Sequence, residues 1–238
     1  MKKYVLTFWP IYLVSVIIFL IILLFGNRTV DILVENVLYK RNHVIIIDAG
    51  HGGEDGGAIS CTGRLESHIN LEIALKLNEL CHLLGYETKM IRTTDISVYT
   101  EGTTLAAKKA SDLRQRVKMA NGSSNGIVVS IHQNTFSDSR YKGAQVFYAQ
   151  TAGSKALANE LQKNFGIIDS TNHRNIKRAD HVYLMQHIQN TGVLVECGFL
   201  SNSEEERKLQ NSDYQNKLCA AIVSALSQYI KLDVQTND

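Results

Sequence analysis

The sequence predicts an α/β domain: a mixed, mainly parallel central sheet covered by helices on both faces. Short apolar runs alternate with longer stretches of helical period, the pattern of strands joined by crossover helices. Several of the runs, such as Val44–Asp48 and Ile127–Ile131, are continuous, as strands buried on both faces require. Hydrophobic residues make up 45% of the 238, enough to build a real core, and there is no internal repeat or low-complexity tract.

The first 26 residues stand apart. Lys2 and Lys3 precede an apolar run from Val5 to Phe25, interrupted only mildly by Thr7, Trp9 and Ser15. As a helix rising about 1.5 Å per residue, the run would span about 32 Å, the thickness of a bilayer core. Basic residues ahead of such a span stay in the cytoplasm, which sends the rest of the chain outward. The expectation is a single-pass membrane anchor over 1–26, with secretion after signal cleavage as the alternative. Leu24-Phe25-Gly26-Asn27 is a poor small-x-small cleavage site. Residues 27–41 form a linker in which Val30, Leu33, Val34, Val37 and Leu38 recur at helical spacing, a short amphipathic helix placed on the membrane or on the domain.

The globular domain is expected over 42–232, with a tail at 233–238. Its elements follow in order. Val44–Asp48 is a strand, and Leu65–Leu84 a helix with apolar residues at Leu65, Ile69, Ile73, Leu77, Leu80 and Leu84, ending near Gly85. Tyr86–Ile91 is a strand, Leu105–Ala120 a charged-faced helix, and Ile127–Ile131 and Ala144–Ala149 are strands. Ser154–Phe165 is helical, Val193–Val195 a short strand, and Asp213–Ile230 a closing helix.

Composition excludes some functions. A net charge of +2 argues against a nucleic-acid binder. Cys61, Cys81, Cys197 and Cys219 match no CxxC metal clip and read as buried or free thiols. Pro10 is the sole proline, so Pro-rich linkers are absent.

In open α/β sheets, functional groups gather beyond the carboxyl ends of the strands. The first strand ends in Asp48-Ala49-Gly50-His51-Gly52-Gly53, the third in Ser130-Ile131-His132-Gln133-Asn134, and the last in Glu196-Cys197-Gly198-Phe199. Glu66 opens the first helix, after a loop that must return over the same edge. Two imidazoles and a carboxylate make a common catalytic zinc set with one open position, and a second carboxylate can take a proton from water. That gives His51, Glu66 and His132 as ligands and Glu196 as base. Each also has a plain structural reading. Histidines at strand ends are commonly structural, Glu66 suits a helix N-terminus, and Glu196 could be a buried ion-pair partner. His68 and His82 are expected on a helix surface. His173, His181 and His187 fall in a loop-rich segment where a substrate contact is open.

The stretch Asp48-Ala49-Gly50-His51-Gly52-Gly53-Glu54-Asp55-Gly56-Gly57-Ala58 resembles the opening signature of the N-acetylmuramoyl-L-alanine amidases of the amidase-3 type. Ser130-Ile131-His132-Gln133-Asn134 is similar to their second histidine motif, and Val193–Asn202 to their catalytic glutamate motif. Leu113, Arg116, Ala120 and Asn121 are similar to the end of one of their helices. The match runs in order through nearly the whole domain. It implies a zinc-amidase, phosphorylase/hydrolase-like fold that holds one Zn2+ on His51, Glu66 and His132, with Glu196 catalytic. Asp48 and Asp55 are candidates for orienting the ligands, and Asn134 and Arg178 for holding glycan or peptide. The family often has proline where Gly56 stands, which changes loop stiffness and not the ligands.

A closer resemblance is to the spore-cortex amidases of endospore formers. It is carried by Lys108–Arg114, by Gly143–Tyr148 and by the residues around Glu196. It implies removal of stem peptides from muramic acid so that a muramic lactam can form, in the intermembrane space of the forespore. The implied partners are a peptidoglycan strand with its stem peptide, the membrane, and a regulatory protein. A general cell-wall amidase, a zinc peptidase acting on the stem peptide, and an inactive binding module are the rival readings.

Overall fold

The computed structural model describes residues 43–237, with side chains to Leu232. The expected anchor at 1–26 and the amphipathic segment at 27–41 lie outside the described residues. Among the described residues, no helix is long and apolar enough to cross a membrane.

Six strands form one sheet: β1 (Val44–Ala49), β2 (Glu87–Met90), β3 (Gly126–Asn134), β4 (Gln145–Tyr148), β5 (Lys177–Arg178) and β6 (Thr191–Phe199), in the order β2-β1-β3-β6-β4-β5. β2, β1, β3 and β6 pair in parallel, whereas β4 runs antiparallel to β6 and parallel to β5. The sheet is therefore mixed and mainly parallel, as expected. The helices are α1 (Glu66–Leu83), α2 (Leu105–Ala120), α3 (Ser154–Ile168), α4 (Tyr183–His187), α5 (Ser203–Leu209) and α6 (Ser212–Asn237).

The helices divide between the faces. α6 packs on both α1 and α3, which pack on the sheet, α1 against β1 and β3 and α3 against β4 and β6. α2 and α4 pack together. Beneath them Ile46, Val128 and Leu194 join Ala120, Leu184, Met185 and Ile188 in one buried cluster. Because side chains alternate along a strand, Ile45, Ile47, Ile127, Val129, Ile131, Val193 and Val195 face the other way, and all are buried.

Local chemistry explains most boundaries. α2 starts at Thr104, whose side chain accepts from the Ala107 amide at 3.2 Å. Asn202 caps α5 in the same way, accepting from Glu204 and Glu205, both at 3.1 Å. Gly85, at φ +82°, ends α1 in the left-handed region.

Several elements depart from expectation. β6 extends two residues before and four beyond the expected Val193–Val195, because β3 and β4 pair along both its edges. The closing helix continues past Ile230 to Asn237, so the segment expected as a tail is helical there. The loop-rich segment holds α4 and β5, and a further helix, α5, follows β6. The cysteines are free thiols, Cys61 exposed and the other three buried.

Candidate metal centre

The carboxyl ends of β1, β3 and β6 lie side by side. Asp48 is in register with Ser130, and His132 with Glu196. One turn beyond β1, His51 adopts φ +61°, the one non-glycine residue with positive φ among those described. Such a conformation costs free energy and persists only where the surroundings impose it.

Two buried arginines do so. Arg116 donates from Nη2 to the His51 carbonyl (2.6 Å), and from Nη1 to the Ala49 carbonyl (2.9 Å) and to Asp48 Oδ1 (2.5 Å). Arg92 donates to the carbonyls of Ala49 (2.7 Å), Gly50 (3.0 Å) and Ser67 (2.9 Å). Asp48 also accepts from Ser130 Oγ at 2.6 Å. Burial alone would raise the Asp48 carboxyl; Arg116 and Ser130 together outweigh it and hold it below the ordinary carboxylate range. Asp48 therefore acts on His51 through Arg116, without touching the imidazole.

Glu66, in the first turn of α1, reaches back over this edge. Its Oε2 lies 3.3 Å from His51 Nε2, and its Oε1 3.0 Å from His132 Nδ1. One ligand atom from each of the three residues falls within 4.8 Å of the others. The carboxylate is fixed by the amides of Ala58 (3.0 Å) and Gln133 (3.1 Å) and by Asn70 Nδ2 (3.2 Å). Asn70 itself is fully buried. It donates to the Gly50 carbonyl at 3.1 Å and accepts from Gln133 Nε2 at 3.2 Å, so one side chain ties together the neighbours of all three residues.

Two glycines make the space. A Cβ on Gly50 would meet the His132 ring at 2.2 Å, and one on Gly57 would meet Glu66 Oε2 at 2.6 Å and the His51 ring at 2.7 Å.

The electrostatics favour a cation here. Burial disfavours a charged His51, yet Asp55 and Glu66 overcome it and raise the imidazole to about 9. Burial would likewise raise Glu66, but His132 and His51 outweigh it and hold the carboxyl well below the usual range. Asp55 Oδ2 sits 3.0 Å from His51 Nδ1 and 3.2 Å from Lys109 Nζ. The His51 contact is the main reason its own carboxyl is depressed.

Glu196 is different. Burial pushes its carboxyl up to about 7, and its Oε2 is a buried atom with no hydrogen-bond partner among the described residues. The donor set, two imidazoles and a carboxylate beside an unsatisfied carboxyl oxygen, fits a catalytic divalent metal with an open position. His51, His132, Glu196, Asp48, Asp55 and Lys109 line one cavity, together with His181, Val182 and Leu184.

The sequence-predicted residues thus separate into groups. His51, Glu66, His132 and Glu196 converge, and Asp55 touches the first of them. Asn134 sits two residues beyond His132, where the β3–β6 register shifts, and its carbonyl accepts from the Leu200 amide at 2.8 Å. Arg178 pairs with Asp180 at 2.8 Å and is not among the cavity-lining residues. Of the loop histidines, His181 reaches the cavity, while His187 stacks on Tyr183. His68 and His82 lie at the surface of α1, against Asp95 and Thr88. Sequence reasoning gave no positioning role to Arg92, Arg116, Asn70 or Ser130. A signal existed for Asn70, a polar residue within the apolar stripe Ile69, Ile73, Leu77 and four residues after Glu66.

Comparison with known proteins agrees with this geometry. The family model described as N-acetylmuramoyl-L-alanine amidase (Amidase_3) matches residues 45–228. The germination-specific N-acetylmuramoyl-L-alanine amidase of Bacillus subtilis (strain 168) is 36% identical over 193 residues, 78% of this chain and 79% of that protein. The CwlD amidase of Clostridioides difficile, solved in complex with the GerS lipoprotein, is 38% identical with a TM-score of 0.76, covering 79% of this chain and 98% of that one. The catalytic domain of CwlV from Bacillus (Paenibacillus) polymyxa var. colistinus is 30% identical with a TM-score of 0.68, covering 79% and 98%.

Proposed function

The chain belongs to the Amidase_3 family and is an N-acetylmuramoyl-L-alanine amidase; from that premise we propose that it works with one zinc ion held by His51, Glu66 and His132, with Glu196 as proton carrier. Its main support is the convergence of three ligand atoms within 4.8 Å, beside a buried carboxyl oxygen that lacks a partner.

When bound, zinc supplies Lewis acidity, polarising a carbonyl and easing loss of a proton from water. The chain's own residues do the rest. Asp55 holds the His51 imidazole by Nδ1 and leaves Nε2 facing Glu66. Glu196, with a carboxyl near neutrality, takes a proton from the attacking water. As the new C–O bond forms at the lactyl carbonyl and the C–N bond breaks, Glu196 returns that proton to the departing L-alanine nitrogen. Leu184, Val182 and His181 form part of the wall of the cavity in which this takes place.

The biological setting is the spore cortex, where stem peptides are stripped from muramic acid before muramic lactam forms. It is supported by the likeness to a relative named as germination-specific. The apolar run Val5–Phe25 would anchor the chain with its domain outside the cytoplasm. A lipoprotein partner is a natural candidate, since the Clostridioides relative was solved with one.

The test is digestion of purified peptidoglycan, with product masses and zinc content measured together. Free, intact stem peptides and about one zinc per chain support the reading. Cleavage within the stem would replace it with a peptidase, and full turnover in metal-free protein would remove the zinc. Membrane fractionation with N-terminal sequencing tests the anchor: a soluble mature chain starting near Asn27 would exclude it.

A further inference from the structure

Beyond β3 the chain forms a small aromatic shelf that the chemistry above does not use. Phe136 is 50% exposed and Tyr141 46%, and their rings meet with centroids 4.6 Å apart. Tyr141 also approaches the buried Phe199 ring, at 6.3 Å. The Arg174 guanidinium lies over Phe199 at 4.5 Å and over Tyr141 at 5.8 Å.

The shelf is held rigidly. Arg174 donates from Nε to the Lys142 carbonyl (2.7 Å) and from Nη1 to Gln145 Oε1 (3.0 Å). The Phe136 amide donates to Ser201 Oγ (3.1 Å), and Asn202 Nδ2 to the Ser139 carbonyl (2.8 Å). Buried Glu205 accepts from the amides of both Gly143 (2.8 Å) and Phe199 (2.9 Å). A surface fixed in this way loses little conformational freedom when it binds something. Neighbouring half-exposed aromatic rings are a common mark of a binding surface.

Its position relates it to the metal centre. Phe136 follows His132 by four residues, which the chain can span by no more than about 14 Å. Gln145, which fixes Arg174, is in register with Glu196, and Phe199 with Asn134. The shelf therefore lies beyond the ends of the same strands, β3 and β6, that carry His132 and Glu196.

We propose that Phe136, Tyr141 and Arg174 form a glycan subsite that stacks a pyranose ring of the strand beside the muramic acid being cleaved. This rests on the amidase reading. A pyranose ring presents an apolar C–H face to aromatic rings, while a guanidinium offers donors to its hydroxyl and N-acetyl oxygens. A free stem peptide, with carboxylates and few ring-like faces, matches Arg174 but not the paired aromatics.

The experiment uses the full-length chain carrying Glu196→Gln, so that nothing is turned over. Calorimetry measures binding of a peptide-free N-acetylglucosamine–N-acetylmuramic acid tetrasaccharide and, separately, of free stem peptide. Phe136→Ala and Tyr141→Ala should each weaken tetrasaccharide binding by roughly tenfold and leave stem-peptide binding unchanged. Tyr141→Phe, which keeps the ring, should restore it. Phe136→Leu keeps apolar bulk without the ring and should behave like Phe136→Ala, separating stacking from stability. In the active enzyme, Phe136→Ala and Tyr141→Ala should raise KM for glycan strands and leave hydrolysis of a single-sugar muramoyl peptide unchanged. Unaltered tetrasaccharide affinity in folded variants overturns the subsite, as does loss of stem-peptide binding alone. Failure of the wild-type chain to release stem peptide would instead overturn the amidase reading, and tetrasaccharide binding would still decide the shelf.

Discussion

Along β1, β3 and β6, the side chains facing α1, α3 and α6 remain apolar up to the catalytic rim, ending in Ala49, Ile131 and Cys197. Those facing α2 and α4 begin alike, with Ile46, Val128 and Leu194, and then change to Asp48, Ser130, His132 and Glu196. The two faces share the same strands and the same backbone hydrogen bonds. On the first face the strand side chains are hydrocarbon or thiol as far as Ala49, Ile131 and Cys197, while the second replaces its last layer with charged and polar groups, several of them desolvated. Burying such groups costs free energy unless each finds a partner. Asp48, Ser130 and Arg116 find partners within the protein, whereas Glu196 Oε2 does not. Stability is concentrated on one face and reactivity on the other, with Glu66 crossing the edge from α1 to join them.

This contrast can be tested from either side. The largest effect should come from the polar layer: Glu196→Gln should lower amidase turnover by roughly 100- to 10,000-fold while fold and zinc content persist. Turnover assays with metal analysis decide this; zinc loss equal to that of Glu66→Gln would reverse the assigned roles of the two glutamates. On the apolar face, Ile73→Ala should destabilise the domain by about 2–5 kcal/mol in denaturant unfolding. Turnover per folded molecule should stay near wild type, and a large loss there would blur the division between faces.

A third outcome links stability to pH. Glu196 is neutral in the fold up to about 7 but ionises near 4.3 when unfolded, so the folded state binds the extra proton between those values. Stability contributed by this group is therefore full at low pH and is lost as pH rises through that window. In metal-free protein, Glu196→Gln should be the more stable form at pH 8, by on the order of 3 kcal/mol. The difference should vanish near pH 4, as unfolding curves at both pH values would show; a pH-independent difference would mean that Glu196 is not held neutral. The smallest effect should come from Asp55→Ala, which removes the support of His51 Nδ1. Zinc affinity should fall by about 10- to 100-fold with little change in melting temperature, and chelator competition would measure it.

Much of the architecture was legible because it is written in local patterns. α2 was expected over Leu105–Ala120 and occupies those residues, since Thr104 caps it and residues that favour helix, such as Leu105, Ala106, Ala107, Lys108 and Lys109, follow at once. The strands β1 and β3 were plain from their continuous apolar runs. The five-residue α4 and the two-residue β5 are too short to show a period, and both are set by packing against β6 and β4. β6 looked short because Glu196 and Gly198 interrupt its apolar run, although two neighbouring strands complete it.

The candidate centre divides in the same way. The sequence by itself determined that His51, His132 and Glu196 leave strand ends on one rim and that Glu66 begins the next helix, because chain direction and side-chain alternation are properties of consecutive residues. Only the tertiary structure decided that Arg92 and Arg116 grip the carbonyls around His51, that Asn70 ties Gly50 to Glu66 and Gln133, and that His181 lines the cavity. Those contacts join residues up to 67 positions apart. A side chain's partner across such a separation depends on how the helices pack on the sheet, and no local pattern of residues encodes that placement.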